Sequence, residues 1–526
     1  MKIISSQTLA EACYQQAEKF KDKPAFCFED QEITFHQFNL NSNKVANGLL
    51  RENIKPQSRV AYLGKDSING YEIFFGCAKA KAVLVPINWR LAAKEIQYIL
   101  NDSGVEILFV SLDLTLTIKK ILAQLKTVRK VIVLDDAHPE WISYTNWCSQ
   151  QSNHPLTLKC QPEEAVVHIY TSGTTGHPKG VLLPNYSFLR LMDYMKDYGD
   201  DWMNLNKTDT LLLSLPIFHV GGLWWTIQGF IAGSRGVILE SFIANKALAL
   251  IEKYKVTKLG LVPAMIQFML AESNIKKTNL SSIKGLVYGG APIAPKLLQA
   301  AMETFKCDFF QVYGLTETGN MAVCLRPHDH TLKWDDKMKA AGKPLPGVRI
   351  RINGPKNNRL KTKTIGEICL QSPSNMIGYW KSTTATNQTL RDGWVHTGDA
   401  GYIDEDGYLY VCDRIKDMII YAGENIYPAE IEAVLMEHPS IAEVAIIGIE
   451  NDRWGEIVKA FIVLKPDCRL KKIDIITFLK TRIASFKIPK SFSFVKALPR
   501  NPSGKILKRT LRDSFSEKKK ASLAIG

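Results

Sequence analysis

The chain has 526 residues, 46% of them hydrophobic and 10% aromatic, which is enough apolar material for two or three globular domains. Its 67 basic and 52 acidic residues give a net charge of +15, which suits acidic small ligands, an anionic membrane surface or nucleic acid. No zinc-finger spacing or RNP-like aromatic block accompanies this charge, so we expect no nucleic-acid partner.

Three further features concern the location of the chain. The ten cysteines contain no C-x-x-C pair, which argues against a zinc site and a disulfide framework. The segment 1–7 turns polar before an apolar signal-peptide core can form. The uncharged stretch 211–233 approaches the length of a membrane helix, but Pro216 and Gly222 interrupt it, so we interpret it as buried core. We expect a cytoplasmic protein with reduced cysteines.

Short apolar runs alternate with amphipathic stretches from residue 57 onward, as in βαβ units. This alternation predicts an α/β fold with doubly wound, mostly parallel sheets. The predicted strands are Val60–Leu63, Ala82–Pro86, Glu106–Val110, Val131–Leu134, Val166–Tyr170, Leu211–Leu215, Gly236–Leu239, Lys258–Val262 and Gly285–Tyr288.

At about residue 340 the pattern changes from βαβ alternation to short strands and turns. Turn signals at Asp392–Gly393 and Asp404–Gly407 predict hairpins and a small β-rich subdomain over 340–412. Further strands are expected at Ile441–Gly448 and Lys459–Leu464, between helices. We therefore predict a large domain over 1–413 and a smaller, mobile α+β domain over 414–526, joined by a charged hinge at Lys416.

The segment Tyr170–Gly180 concentrates three glycines, four Ser or Thr hydroxyls and a lysine in eleven residues. Glycines let backbone N–H groups approach an anion closely, and Lys179 adds a positive charge. A P-loop would need Ser or Thr after the lysine, where this chain has Gly180. Pro178 also disfavours a helix that begins at the lysine. The sequence predicts a phosphate loop of another kind.

Several motifs in the same order resemble the acyl-adenylate-forming superfamily, the acyl-CoA synthetases and their relatives, over nearly the whole chain. The motifs are Tyr170–Gly180, Tyr288–Pro292, Tyr313–Thr318, Trp394–Asp399, Asp413–Asp417 and Pro499–Lys505. The resemblance implies that a carboxylate attacks ATP to give acyl-AMP and pyrophosphate, and that a thiol, usually of coenzyme A, then displaces AMP. Segments Ile87–Leu91 and Met376–Trp380 look most like bacterial fatty-acyl-CoA ligases.

The resemblance also implies residue roles for the phosphates and for Mg²⁺. The residues that would hold the phosphates are Thr171, Ser172, Gly173, Thr174, Thr175, Gly176 and Lys179. Glu317, next to Thr316, and Thr171 would bind Mg²⁺, which prefers hard oxygen ligands. The alternatives are an ordinary Gly/Ser turn and a solvated glutamate.

For the nucleoside, the small residues Gly290, Ala291 and Pro292 would let adenine lie against the backbone, and Tyr313, followed by Gly314, would stack on the ring. Asp399 resembles the aspartate that accepts from the ribose hydroxyls, assisted by Arg414. A strand-to-helix turn at 289–292 and a simple turn at Asp399 are the alternatives.

Four residues would serve the acyl transfer. His219 matches a residue near the carboxylate, although a lone histidine in an apolar stretch is more often part of the core. Lys505, on the loop Pro502–Gly504, would stabilise charge in adenylation, or it is one more lysine of a basic tail. Rotation about Lys416 would then exchange Lys505 for the segment around Gly423 beside the pantetheine channel.

We interpret the chain as an ATP- and Mg²⁺-dependent acyl-CoA ligase for a medium- or long-chain fatty acid. Trp224, Trp225, Phe218 and Phe230 fit an acyl pocket or an ordinary core equally well. Alternatives are an aryl or carnitine-like acid, a carrier-protein pantetheine acceptor, and a catalytically inactive nucleotide-binding scaffold. The basic charge suits CoA phosphates or a peripheral membrane contact, and both a monomer and a homodimer remain open.

Overall fold

The computed structural model describes residues 6–134, 138–171, 178–199, 203–331, 336–421, 424–451, 455–500 and 506–523. The chain divides into two compact units. The large unit comprises Met1–Pro292, Leu297–Ile350 and Leu370–His396, and the small unit comprises Ile293–Lys296, Arg351–Cys369 and Thr397–Gly526.

Strands and helices alternate along the described residues. The strands are β1 (Pro24–Phe28), β2 (Gln31–Thr34), β3 (Arg59–Leu63), β4 (Val83–Ile87), β5 (Val105–Val110), β6 (Lys130–Val133), β7 (Ile142–Ser143), β8 (Ala165–Thr171), β9 (Lys179–Pro184), β10 (Thr210–Leu213), β11 (Arg235–Ile238), β12 (Lys258–Leu261), β13 (Gly285–Gly289), β14 (Asp308–Tyr313), β15 (Val323–Leu325), β16 (Lys343–Pro344), β17 (Arg349–Asn353), β18 (Gly366–Gln371), β19 (Gly378–Tyr379), β20 (Leu390–Arg391), β21 (Trp394–Ile403), β22 (Leu409–Arg414), β23 (Ile419–Tyr421), β24 (Glu424–Ile426), β25 (Ile441–Asn451), β26 (Gly455–Leu464) and β27 (Ser491–Phe494). The helices are α1 (Leu9–Phe20), α2 (Phe35–Arg51), α3 (Ile68–Lys79), α4 (Ala93–Ser103), α5 (Thr115–Ile121), α6 (Tyr144–Ser149), α7 (Tyr186–Asp197), α8 (Val220–Ala232), α9 (Ala244–Tyr254), α10 (Pro263–Ala271), α11 (Pro295–Phe305), α12 (Thr383–Thr389), α13 (Pro428–Met436), α14 (Lys472–Lys480) and α15 (Lys508–Leu523).

A nine-stranded sheet in the large unit has the strand order β16-β15-β14-β13-β12-β10-β11-β1-β2. The pairs from β1–β11 to β13–β14 are parallel, whereas β2, β15 and β16 pair antiparallel at the edges. All residues of β10 are buried, which is typical of a parallel strand that helices cover on both faces.

The large unit contains a second sheet of eight strands in the order β19-β9-β8-β4-β3-β5-β6-β7. The pairs from β4–β8 to β6–β7 are parallel. Strand β9 turns back along β8 and pairs antiparallel with both β8 and β19. The two mostly parallel sheets confirm the predicted α/β architecture.

Aromatic side chains fill the core beside the nine-stranded sheet. The ring centroid of Phe230 lies 4.9 Å from that of Phe35 and 5.0 Å from that of Phe75. Trp225 is buried and donates its indole N–H to the Leu212 carbonyl at 3.1 Å. Phe230 and Trp225 are therefore packed in the core, which is one of the two alternatives that the sequence left open.

The uncharged stretch 211–233 is divided between β10 and α8. Gly233, in a left-handed conformation with φ of 74°, ends α8. Within the described ranges, no helix combines the length and the apolar character that crossing a bilayer requires. All ten cysteines lie within the described residues, and none of them forms a disulfide.

The small unit has its own sheet, in the order β24-β23-β26-β25 with β27 beside β26. Helices α13 and α14 bury Ile431, Leu435, Ile475 and Leu479 in the core cluster that includes residues of this sheet. The end of β21 also pairs with β22 in this unit. In the large unit, the predicted turn at Asp392–Gly393 joins β20 to β21, and both of its residues have positive φ.

Candidate functional site

The predicted phosphate loop connects two antiparallel strands of the large unit. Thr171 is the last residue of β8, Lys179 is the first residue of β9, and the two are register partners. Lys179 thus begins a strand and not a helix, as the sequence predicted. Five proposed phosphate-binding residues lie outside the described residues: Ser172, Gly173, Thr174, Thr175 and Gly176.

Close packing beneath the loop explains why glycine follows Lys179. A Cβ atom on Gly180 would lie 1.9 Å from Nε2 of His168. Burial, with smaller contributions from Arg59 and Lys381, lowers the pKa of His168 to about 3, so the ring is neutral at pH 7. Neither ring nitrogen of His168 has a hydrogen-bond partner within the described residues. Position 180 therefore requires glycine, because any side chain there would overlap the His168 ring.

Lys179 and Glu317 meet at Tyr379. The Lys179 ammonium lies 5.2 Å from the centroid of the Tyr379 ring, and the Tyr379 hydroxyl donates to Glu317 Oε1 at 2.7 Å. The Met376 amide also donates to the Glu317 carbonyl at 2.9 Å. The large unit therefore brings a cation and a carboxylate, 138 positions apart in the numbering, to the two sides of one tyrosine.

A tight turn presents Glu317. Thr316–Thr318 form a 3-10 turn, and the Leu315 amide donates to Thr318 Oγ1 at 2.9 Å. A Cβ on Gly314 would lie 1.7 Å from the Asn320 carbonyl oxygen, so only glycine fits before this turn. The predicted residues Gly314, Thr316 and Glu317 thus share one compact element.

The proposed adenine-binding residues lie at the carboxyl ends of two adjacent parallel strands. Gly289 of β13 is the register partner of Val312 of β14, so Gly290 and Tyr313 come next on neighbouring strands. Gly290 has φ of 77°, and a Cβ on Gly289 would lie 2.5 Å from the Val312 carbonyl oxygen. Ala291 and Pro292 continue the bend after Gly290. Such a bend leaves backbone accessible to a flat ring.

In the small unit, Asp399 and Arg414 are register partners on β21 and β22. Arg414 Nε lies 2.7 Å from Asp399 Oδ1, and its Nη1 donates to the Thr397 carbonyl at 3.0 Å. Asp399 is 5% exposed, and its amide donates to Thr397 Oγ1. The two residues predicted to bind ribose thus form one ion pair in the small unit.

Lys416 lies on an exposed 3-10 turn, Ile415–Asp417, directly after β22. Asp417 at the end of this turn accepts from Arg512 at 2.9 Å. Asp413, before the turn, accepts from the Ala429 amide in the first turn of α13 at 2.8 Å. Two other predicted residues, Gly423 and Lys505, lie outside the described residues.

His219 is the residue that precedes α8, and its side chain is partly exposed. Burial among protein atoms, followed by the charge of Arg90, lowers the pKa of His219 to about 4, so it is neutral at pH 7. The loop before it is held by Asp66, which accepts from the Ile217 amide at 2.9 Å. Burial raises the pKa of Asp66 to about 7. His219 is thus a neutral, partly exposed residue, and its role near the carboxylate stays a prediction.

Sequence reasoning assigned no role to several residues that the structure joins to this site. Tyr379 was part of a motif that supported the resemblance, and its spacing gave no sign that it would meet Glu317. Asp66 sits beside no recognisable motif. Both residues reach the site through hydrogen bonds to residues far away in the sequence, and such contacts leave no local sequence pattern.

Comparison with known proteins agrees with this arrangement. The model of the AMP-binding enzyme family matches residues 13–380, and that of the AMP-binding enzyme C-terminal domain matches residues 430–505. A fatty acid–[acyl-carrier-protein] ligase of Streptomyces coeruleorubidus is 43% identical over 97% of this chain and 96% of its own. A long-chain-fatty-acid–CoA ligase of Mycobacterium tuberculosis is 34% identical over 93% of this chain and 94% of its own. The structure of ATP-bound MatB from Rhodopseudomonas palustris covers 97% of this chain and 99% of its own, with a TM-score of 0.87 at 27% identity.

Proposed function

We propose a function on the premise that this chain belongs to the AMP-binding enzyme family. In this proposal, the chain uses ATP to convert a fatty acid into an acyl-adenylate. It then transfers the acyl group to a pantetheine thiol and releases AMP. The family supports an acid–thiol ligase, and the fatty acid is proposed from the relatives of Streptomyces coeruleorubidus and Mycobacterium tuberculosis.

The observation that carries this proposal is the arrangement of Lys179, Tyr379 and Glu317, in which Lys179 directly follows the end of the predicted phosphate loop at Pro178. The Lys179 ammonium lies 5.2 Å from the centroid of the Tyr379 ring, and the hydroxyl of that tyrosine donates to Glu317. A cation and a carboxylate so placed suit a polyphosphate and the metal ion that accompanies it. Attack by a carboxylate on phosphorus needs no general base, because a carboxylic acid is already ionised at pH 7. The protein has to bind and orient the phosphates and to stabilise developing charge.

Thr171 and Glu317 would hold Mg²⁺. Glu317 supplies a partly buried carboxylate that the Tyr379 hydroxyl already orients, which fits the oxygen ligands that this ion prefers. When bound, Mg²⁺ would neutralise phosphate charge and so make the α-phosphate easier to attack. Lys179 adds a fixed positive charge to the same region.

Lys505 would contact the carboxylate and α-phosphate during adenylation. The Lys505→Ala variant is expected to lose pyrophosphate release and to keep thioester formation from supplied acyl-AMP. Arg509→Ala is a matched control, because Arg509 is an exposed cation of the same basic segment and pairs with the exposed Asp513 at 3.7 Å. An equal loss of both half-reactions in Lys505→Ala would contradict this role.

Rotation of the C-terminal part of the chain about Lys416 would separate the two half-reactions. Proline fixes φ near −65°, which suits the 3-10 turn at Lys416 but opposes a change of its backbone angles. Lys416→Pro should therefore keep adenylation and lose thioester formation, whereas Lys416→Ala should keep both. Normal thioester formation in Lys416→Pro would contradict the hinge.

The thiol acceptor has two candidates. CoA is supported by the relative of Mycobacterium tuberculosis, whereas the 43% identical relative of Streptomyces coeruleorubidus supports a carrier-protein pantetheine. Parallel assays with CoA and with a holo carrier protein distinguish them, since the acyl-AMP step is common to both. A thioester on one acceptor only identifies that acceptor.

A further inference from the structure

One turn of helix α4 contacts both ends of the proposed phosphate loop. On the β8 side, the Tyr170 hydroxyl donates to Asp102 Oδ2 at 2.5 Å. On the β9 side, the Pro178 carbonyl accepts from the Tyr98 hydroxyl at 3.3 Å. Tyr98 and Asp102 are four residues apart and so share one face of α4.

The two tyrosines also contact each other. Their ring centroids are 6.4 Å apart at an interplanar angle of 84°, which is an edge-to-face contact. Burial, followed by the hydrogen bond to Asp102, raises the pKa of Tyr170 far above its ordinary value. The Tyr170 hydroxyl therefore remains a donor throughout the neutral pH range.

The end of α4 holds a third segment of the site. The Asp102 carbonyl accepts from Trp380 Nε1 at 2.9 Å and from Lys381 Nζ at 2.8 Å. This carbonyl lies in the last turn of a helix, where no intrahelical partner is available. Trp380 follows Tyr379, and its amide donates to the Gly180 carbonyl at 2.7 Å. Asp102 is thus tied to the loop and to the strand that carries Tyr379.

We propose that Asp102 and Tyr98 are positioning residues that fix the two ends of the proposed phosphate loop, and with them the Lys179–Tyr379–Glu317 arrangement, for ATP binding. The inference rests on the proposed function of that site. Neither residue is among those predicted to bind ATP or the acid. Their effect is exerted through Tyr170 and Pro178 at the ends of the loop and through Trp380 next to Tyr379.

Single hydroxyl deletions test the inference with little change in volume. Tyr170→Phe and Tyr98→Phe are each expected to raise the KM for ATP about tenfold in ATP–pyrophosphate exchange, since each deletion removes the hydrogen bond that ties one loop end to α4. The rate of thioester formation from supplied acyl-AMP should stay unchanged. Asp102→Ala should behave as Tyr170→Phe does, and Asp102→Asn should recover much of the loss because its amide oxygen still accepts the Tyr170 hydroxyl.

Tyr144→Phe is the matched control. It removes a tyrosine-to-carboxylate hydrogen bond of 2.8 Å, to Glu72, in the same unit and away from the loop. We expect it to lower stability without changing the KM for ATP. The inference is overturned when Tyr170→Phe leaves that KM unchanged, or when Tyr170→Phe slows both half-reactions equally, as a general loss of folded protein would.

Direct ATP binding keeps this test separate from the proposed reaction. Calorimetric titration with ATP and Mg²⁺ should show weaker binding by Tyr170→Phe than by the parent, even when no acid in an assay is turned over. A parent that binds ATP but activates no acid contradicts the proposed reaction alone. Equal ATP affinity of parent and variant contradicts the positioning role alone.

Discussion

A methyl group at position 180 would occupy space that the His168 ring already fills. The Cβ of Gly180→Ala would lie 1.9 Å from Nε2 and 2.7 Å from Cδ2 of His168. The ring has 0% exposure and lies between Tyr170, at a centroid distance of 4.7 Å, and Trp380, at 5.9 Å. On the backbone side, the Gly180 carbonyl accepts from the Trp380 amide at 2.7 Å. Neither the His168 ring nor the backbone at Gly180 can therefore move freely to make room for a methyl group.

We therefore expect Gly180→Ala to lower the free energy of unfolding by about 3 kcal/mol, the upper end of the usual cost of overpacking. Urea denaturation followed by tryptophan fluorescence measures this change. Gly221→Ala is the control, because the nearest atoms to its Cβ lie at 3.7 and 3.8 Å. Its expected effect is a stabilisation of about 0.5 kcal/mol from the smaller entropy of the unfolded chain.

A double variant identifies the cause of the loss. His168→Ala removes the ring that obstructs the new methyl group, so Gly180→Ala should cost at least about 1 kcal/mol less in that background than in the parent. Strict additivity of the two changes would refute the steric explanation. So would a Gly180→Ala variant as stable as the parent.

Three further predictions follow from the same contacts. Tyr379→Phe should raise the Mg²⁺ concentration needed for half-maximal pyrophosphate release about tenfold, because Glu317 loses the donor that orients it; an unchanged Mg²⁺ dependence would contradict this. Arg414→Gln should lower the free energy of unfolding by about 2 kcal/mol, because the buried carboxylate of Asp399 loses its ion pair with the partly exposed Arg414; a loss below about 0.5 kcal/mol in chemical denaturation would argue against this contribution. Burial lowers the pKa of His168 to about 3, so the unfolded chain binds more protons than the folded chain below about pH 6.5. The free energy of unfolding therefore decreases as the pH is lowered from about 6.5 toward 3. From pH 7 to pH 5, the parent should lose about 2 kcal/mol more of its free energy of unfolding than His168→Gln does, as measured by chemical denaturation at both pH values. The same difference in free energy between variant and parent at both pH values would contradict a buried neutral ring.

The parallel strands were predictable because each is a short, continuous apolar run. β5 and β10, for example, lie within one or two residues of their predicted bounds. The elements before residue 57 were missed for identifiable reasons. β1 begins with Pro24, which is untypical of a strand interior, and only Ile33 of β2 is buried, so β2 shows no apolar run.

The candidate site was predictable where its chemistry is local. The phosphate loop, the turn before Glu317 and the Asp399 segment each carry their signal within a few residues. The contacts that organise them are not local: 62 positions separate Tyr379 from Glu317, and 278 separate Trp380 from Asp102. No spacing rule relates residues that meet only after both sheets have formed.

Pyrophosphate release from ATP and Mg²⁺ tests the central claim most directly. A panel of acids from acetate to oleate is assayed alone, with CoA and with a holo carrier protein. The account predicts release with an optimum at medium or long chain length, and formation of a thioester on one of the two acceptors. Absence of release with every acid, from protein that binds ATP, would contradict the assignment as an acyl-adenylate-forming ligase of fatty acids.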